Sequence, residues 1–79
     1  MLYKKIYVEV NLTVSPDGKI RPERITWTDG HKYDIDRVLY ITPAASLKVG
    51  GRGQRYTVEI NGKETYMFDE DGRWFVEAK

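Results

Sequence analysis

Residues 50–55 read Gly50-Gly51-Arg52-Gly53-Gln54-Arg55, and Lys48 precedes them. Glycines beside cations suggest a loop whose backbone N–H groups cradle an anion. The phosphate loop of nucleotide-binding enzymes needs Gly-Lys-Ser/Thr opening a helix, whereas Arg55 leads into an alternating, strand-like run. The dinucleotide fingerprint fails as well, because Tyr56 occupies the position of its third glycine. What survives is a looser anion nest with Lys48, Arg52 and Arg55 around it. The plainer alternative is a glycine-rich loop whose charges keep it solvated.

Nucleic acid would need aromatic rings beside those bases for stacking, and Tyr40, Tyr56, Tyr7 and Trp27 are the candidates. From Arg37 to Val58 the bases Arg37, Lys48, Arg52 and Arg55 meet no Asp or Glu. The formal charge of the whole chain is only +1, which weakens a binding mode driven by bulk charge.

Asp29, His31, Asp34 and Asp36 could ligate a metal, and on one strand face Asp34 and Asp36 would stand ~6.6 Å apart. Asp29 is already explained by a turn, however, and one histidine is a thin basis for a transition-metal site. Asp69, Asp71 and Gly72 imitate part of a calcium loop, but Met67 and Ala78 occupy its first and last ligand positions. His31 is the only imidazole, and neither Ser15 nor Ser46 stands in a nucleophile motif. No cofactor, metal or catalytic role is expected from this inventory, and the chain is not expected to be an enzyme.

The elements that must position these residues are strands. Over residues 6–14 the even positions Ile6, Val8, Val10, Leu12 and Val14 are apolar, the period-two pattern of a strand with one buried face. That run is long enough to bend and serve two sides of a rolled sheet. Ser15-Pro16-Asp17-Gly18 turns it back into a second strand over 19–27. There Ile20 and Pro22 fall on one parity and Ile25 and Trp27 on the other, so a bulge is expected between them. Asp29-Gly30 turns into a third strand over 32–41, and Asn61-Gly62 and Asp71-Gly72 join strands over 55–60, 64–68 and 73–77.

Residues 42–55 interrupt the hairpins with a longer connection, and such connections tend to be functional or unstructured. Thr42 suits an N-cap, Pro43 a first helical position and Gly50 a C-terminal stop, which predicts a short helix at about 43–49.

Six strands joined by hairpin turns predict a mainly β protein: an antiparallel meander over residues 1–79, one domain, rolled into a small SH3-like barrel. An OB-like barrel is the alternative, since it also places a helix after its third strand. The chain has 79 residues, no cysteine, six tyrosines, two phenylalanines and two tryptophans, so aromatics must supply much of a small core. The absence of cysteine fits a reducing compartment, and a cytoplasmic location is expected. Glu9 and Asn11 break the apolar character a signal peptide would need, and no apolar run reaches the ~20 residues that span a bilayer.

From Arg21 onward the chain resembles a family of short bacterial proteins without an assigned function. The residues that carry the likeness are Arg21-Pro22, Trp27, Asp29-Gly30, Tyr33, Ile35-Asp36, Val38-Leu39, Ala44-Ala45-Ser46-Leu47-Lys48, Gly50-Gly51, Arg55-Tyr56-Thr57 and Arg73-Trp74-Phe75-Val76-Glu77. The resemblance implies neither an activity nor a site. The sequence therefore leads to two expectations. One is an interaction module that binds protein, another copy of itself included, through a strand edge or an aromatic patch. The other is a binder of nucleic acid or another polyanion through the loop at 48–55, with Lys48, Arg52, Arg55, Tyr56 and Tyr40 as its contact residues.

Overall fold

A computed structural model describes residues 4–43 and 53–78. They form eight strands: β1 (Lys4–Tyr7), β2 (Glu9–Val14), β3 (Ile20–Thr26), β4 (Lys32–Asp34), β5 (Arg37–Pro43), β6 (Gln54–Ile60), β7 (Lys63–Glu70) and β8 (Arg73–Ala78). One antiparallel sheet has the order β1-β8-β7-β6-β5 and the other the order β2-β3-β4. The protein is mainly β, as the alternation predicts.

The two extra strands arise because two of the six expected strands break at corners. The run over 6–14 divides at Val8, whose N–H bonds the Trp74 carbonyl in the larger sheet at 3.0 Å. The next residue, Glu9, already pairs with Thr26 in the smaller one. The run over 32–41 divides at Ile35 and Asp36. Ile35 gives its N–H to Glu23 of β3 at 2.9 Å, and Asp36 gives its own to Glu59 of β6 at 2.8 Å. Successive amides thus serve different sheets. The chain turns the corner without leaving a backbone donor unpaired.

Every strand pairing joins sequence neighbours, except that β1 pairs with β8. That is a meander and not the Greek key of an OB-fold. The closed barrel expected from the sequence does not form. β4 pairs with β3 only from Arg24 to Thr26, so the start of β3 and most of β5 diverge and the ladder stays open between them.

The expected short helix also needs correction. Thr42 and Pro43 do not cap or begin a helix; they end β5, paired with Arg55 and Gln54, so the ladder takes the backbone groups a cap would have satisfied. The remaining positions of that expectation, 44–49, lie outside the described residues. No helix occurs among the residues described.

The turns follow their sequences. Ser15 and Lys19, and likewise Trp27 and His31, close three-residue loops ending in Gly18 (φ 86°) and Gly30 (φ 91°). In each loop the aspartate accepts from the backbone N–H two residues on, Asp17 from Lys19 and Asp29 from His31. The bulge expected in β3 is present: Asn11 faces Arg24 and Leu12 faces Pro22, which leaves Glu23 as the extra residue. Pro22 and Ile25 are consequently both buried. A second bulge in β5 leaves Leu39 unpaired between Val38 and Tyr40.

The core lies between the sheets. Ile25 and Ile35 meet Tyr56, Val58, Met67, Trp74 and Val76, with Ile6, Val10, Ile20 and Val38 packed around them. Phe68 and Phe75 form a separate cluster.

Candidate functional site

The register of the larger sheet decides where the chemistry-bearing side chains go. Tyr56, Val58, Met67, Trp74 and Val76 occupy its inner face. Their alternates must therefore occupy the outer face. Across the strands, Thr42 lies opposite Arg55, Arg55 opposite Phe68, Phe68 opposite Phe75 and Phe75 opposite Tyr7. Beside that row stands another, with Tyr40 opposite Thr57 and Thr57 opposite Tyr66.

This outer face interleaves aromatic rings with cations. Phe68 and Phe75 stack, centroids 5.0 Å apart, and Tyr7 meets Phe75 edge-on at 5.6 Å. Over these rings lie Lys5 on Phe75 at 5.0 Å, Arg73 on Tyr7 at 4.2 Å and Arg55 on Tyr66 at 4.7 Å. Tyr66 is 51% exposed, Tyr40 66% and Tyr7 39%. Such pairs are worth ~0.5–1 kcal/mol each at exposed sites, so their main effect is to fix the orientation of the rings.

The charges on this face cancel locally. Glu70 accepts hydrogen bonds from the Tyr7 hydroxyl at 2.7 Å and Lys5 Nζ at 3.2 Å. The Tyr7 hydroxyl first, and Lys5 second, hold its carboxyl below the ordinary glutamate value. Arg37 bonds Glu59 at 3.1 Å across the neighbouring pair of strands.

The residues expected to form a site part company. Lys48 and Arg52 lie outside the described residues. Arg55 is half-buried, with its guanidinium on Tyr66 and its Nε enclosed without a hydrogen-bond partner. Tyr40 is on the same outer face and open to solvent. Tyr56 is not: it is 3% exposed, inside the core, with its ring 4.8 Å from that of Trp74. Burial, and secondly the charge of Asp69, push its phenol pKa upward. The structure therefore brings Arg55 and Tyr40 to one face and takes Tyr56 out of it.

Tyr7, one of the rings weighed for stacking, also lies on this face; Lys5, Tyr66 and Arg73 complete it, and sequence reasoning passed over those three. The signal was there in Tyr66-Met67-Phe68 and Trp74-Phe75-Val76. Consecutive apolar residues in a strand place apolar groups on both faces.

Two of the acids weighed as metal ligands, Asp29 and Asp34, are otherwise engaged. His31 Nδ1 and Asp29 are 2.8 Å apart, and Asp34 accepts from Arg24 at 2.7 Å. Among the described residues no three of His, Cys, Asp or Glu gather into a group that could hold a metal ion. No helix among them is long and apolar enough to cross a membrane.

No protein-family model, curated protein or solved structure matches this chain.

Proposed function

We propose that this chain is a non-enzymatic interaction module that binds a protein partner through the aromatic outer face of its larger sheet. The observation that carries this reading is the pairing of arginines with exposed tyrosines on a face whose charges balance. Tyrosine and arginine are the residues around which protein interfaces concentrate their binding energy. Rings already held by a cation lose less freedom on binding than free ones would. A polyanion would meet Glu59 and Glu70 on the same face, which opposes it. An SH3-like barrel, opened between β3 and β5, belongs to this reading, as does a cytoplasmic setting for a chain without cysteine.

Capture of partners from lysate by the wild-type chain, followed by titration of the purified partner, tests it. Tyr66→Ala and Tyr40→Ala are expected to weaken binding, and one of them by at least about 2 kcal/mol if it is a hot spot. A captured partner indifferent to both variants sinks the proposal.

Nucleic acid remains the second reading, favoured by one contact, Arg55 laid on Tyr66, the arrangement of a base-stacking platform. Single-stranded DNA and RNA titrated at rising salt decide it. Binding that weakens steeply with salt and is lost in Arg55→Ala supports this reading, and no binding at low salt removes it.

A further inference from the structure

The open seam between β3 and β5 is a built cleft. It encloses about 800 Å³, with Ile20, Val38, Ile41 and Tyr56 on its apolar walls and Lys19 and Arg21 at its rim; toward the corner it continues into a smaller pocket, where Glu23 and Asp36 join Arg21 and Val38. We infer that this cleft takes an extended segment of a protein partner, alternating apolar and acidic residues, added as a strand to β5. The inference rests on the protein-partner reading above and names the chemistry of that partner.

Three observations carry it. First, β5 is the last strand of its sheet, hydrogen-bonded on one side only among the described residues. Its centre, Val38-Leu39-Tyr40-Ile41-Thr42, contains no charge or proline to discourage a second strand. Second, the facing edge of β3 is protected, because Pro22 has no N–H to donate and the Glu23 bulge breaks the pleat. A strand entering the seam is therefore directed to β5. Third, the electrostatics select its sequence. Lys19 makes no ion pair among the described residues, and Arg21, although paired with Glu23 at 2.8 Å, keeps its side chain two-thirds exposed.

A strand in this position points alternate side chains to opposite faces. One set would enter the cleft between Ile20 and Val38, which calls for apolar groups. The other would emerge between Arg21 and Tyr40, which calls for acids. The second set would also continue the aromatic outer face, so one partner could engage both surfaces.

The probes are two fluorescein-labelled peptides, one alternating valine with glutamate and the other valine with lysine, titrated by anisotropy and by amide shifts in the ¹⁵N-labelled full chain. The glutamate peptide is expected to bind with shifts over residues 38–42. The lysine peptide is expected to bind about tenfold or more weakly, a difference of ~1.4 kcal/mol. The Lys19→Glu variant, whose change is confined to an exposed side chain with no ion pair among the described residues, should remove that preference while its thermal midpoint holds. Equal binding of the two peptides, no binding, or shifts confined to the outer face would overturn the inference. So would concentration-dependent shifts of residues 38–42 without peptide, which would assign the seam to a second copy. If the seam fails while Tyr66→Ala still weakens a captured partner, the proposed function stands without it. If the glutamate peptide binds at β5 while Tyr66→Ala and Tyr40→Ala leave the partner unaffected, the outer face fails and the seam stands.

Discussion

Phe68 and Phe75 stack with their ring planes only 8° apart, on the face of the larger sheet that points away from the main core. Phe75 is nonetheless only 1% exposed. The sheet is thus apolar on both sides at its centre, and the second side is not merely a surface. Phe75→Ala is expected to cost ~3–5 kcal/mol, the range for deleting a buried aromatic. Tyr66→Ala, which removes an exposed ring and one cation–π contact, should cost about 1 kcal/mol or less. Urea unfolding of both variants measures the difference. A Phe75→Ala chain as stable as wild type would mean that the outer cluster contributes binding surface and no stability.

Acid should destabilise the fold through a definite set of carboxylates. Glu70 is held below its ordinary value of 4.5 by the Tyr7 hydroxyl and then by Lys5. Glu23 is lowered first by the Thr13 hydroxyl, Asp17 by the Ser15 hydroxyl and Asp29 by the His31 backbone N–H. In each case the folded pKa lies below the unfolded one. The associated stability is therefore fully present above the unfolded value and is lost as pH falls through the folded value. The thermal midpoint should fall as pH is lowered from neutral to about 2, and Glu70→Gln should flatten part of that fall. An unchanged acid limb in Glu70→Gln would show that the Tyr7 and Lys5 contacts do not persist in solution.

What the sequence reveals here is mostly local. Proline, aspartate and glycine at fixed offsets specify the hairpin turns, and strict alternation over residues 6–14 marks both a strand and its excess length. Even the bulge at Glu23 is legible, because Ile20 and Ile25 cannot otherwise face one core. What is not legible is how far two strands stay together. The corner at Ile35 and Asp36 depends on carbonyls of Glu23 and Glu59, which lie in different strands, and no local pattern announces that division. The same limit explains the site. Arg55 was visible as a cation next to a tyrosine, but its immediate neighbour Tyr56 faces the core, and the ring it meets belongs to Tyr66 on the adjacent strand. Cross-strand register, and not sequence proximity, selects the partner.

Register also places two acids against each other. Glu59 lies directly opposite Glu64, next to the Asn61-Gly62 turn, and like charges in that position repel. Arg37 relieves Glu59 from the other side at 3.1 Å. Glu64→Lys converts the repulsive pair into an attractive one and is expected to stabilise the chain by ~0.2–1 kcal/mol. The gain should shrink with added salt, because both groups face solvent. Urea midpoints at low and high salt check both statements, and a loss of stability in Glu64→Lys would contradict the register.

Deletion of Glu23 separates the two roles of the bulge. Pro22 and Ile25 flank the extra residue and both point inward. Removing Glu23 leaves a regular alternation in which Pro22, Arg24 and Ile25 keep their faces. The fold should therefore survive. What is lost is the carbonyl that accepts the Ile35 N–H at the corner, together with the Thr13 and Arg21 contacts to the Glu23 carboxylate. Leaving the Ile35 donor without a partner costs ~1–3 kcal/mol, a large part of the stability of so small a protein but short of all of it. Urea unfolding followed by tryptophan fluorescence should show a cooperative transition at lower urea, with the native emission of Trp74 retained. A chain without a cooperative transition would mean instead that the bend at Glu23 is required to bring the two sheets together.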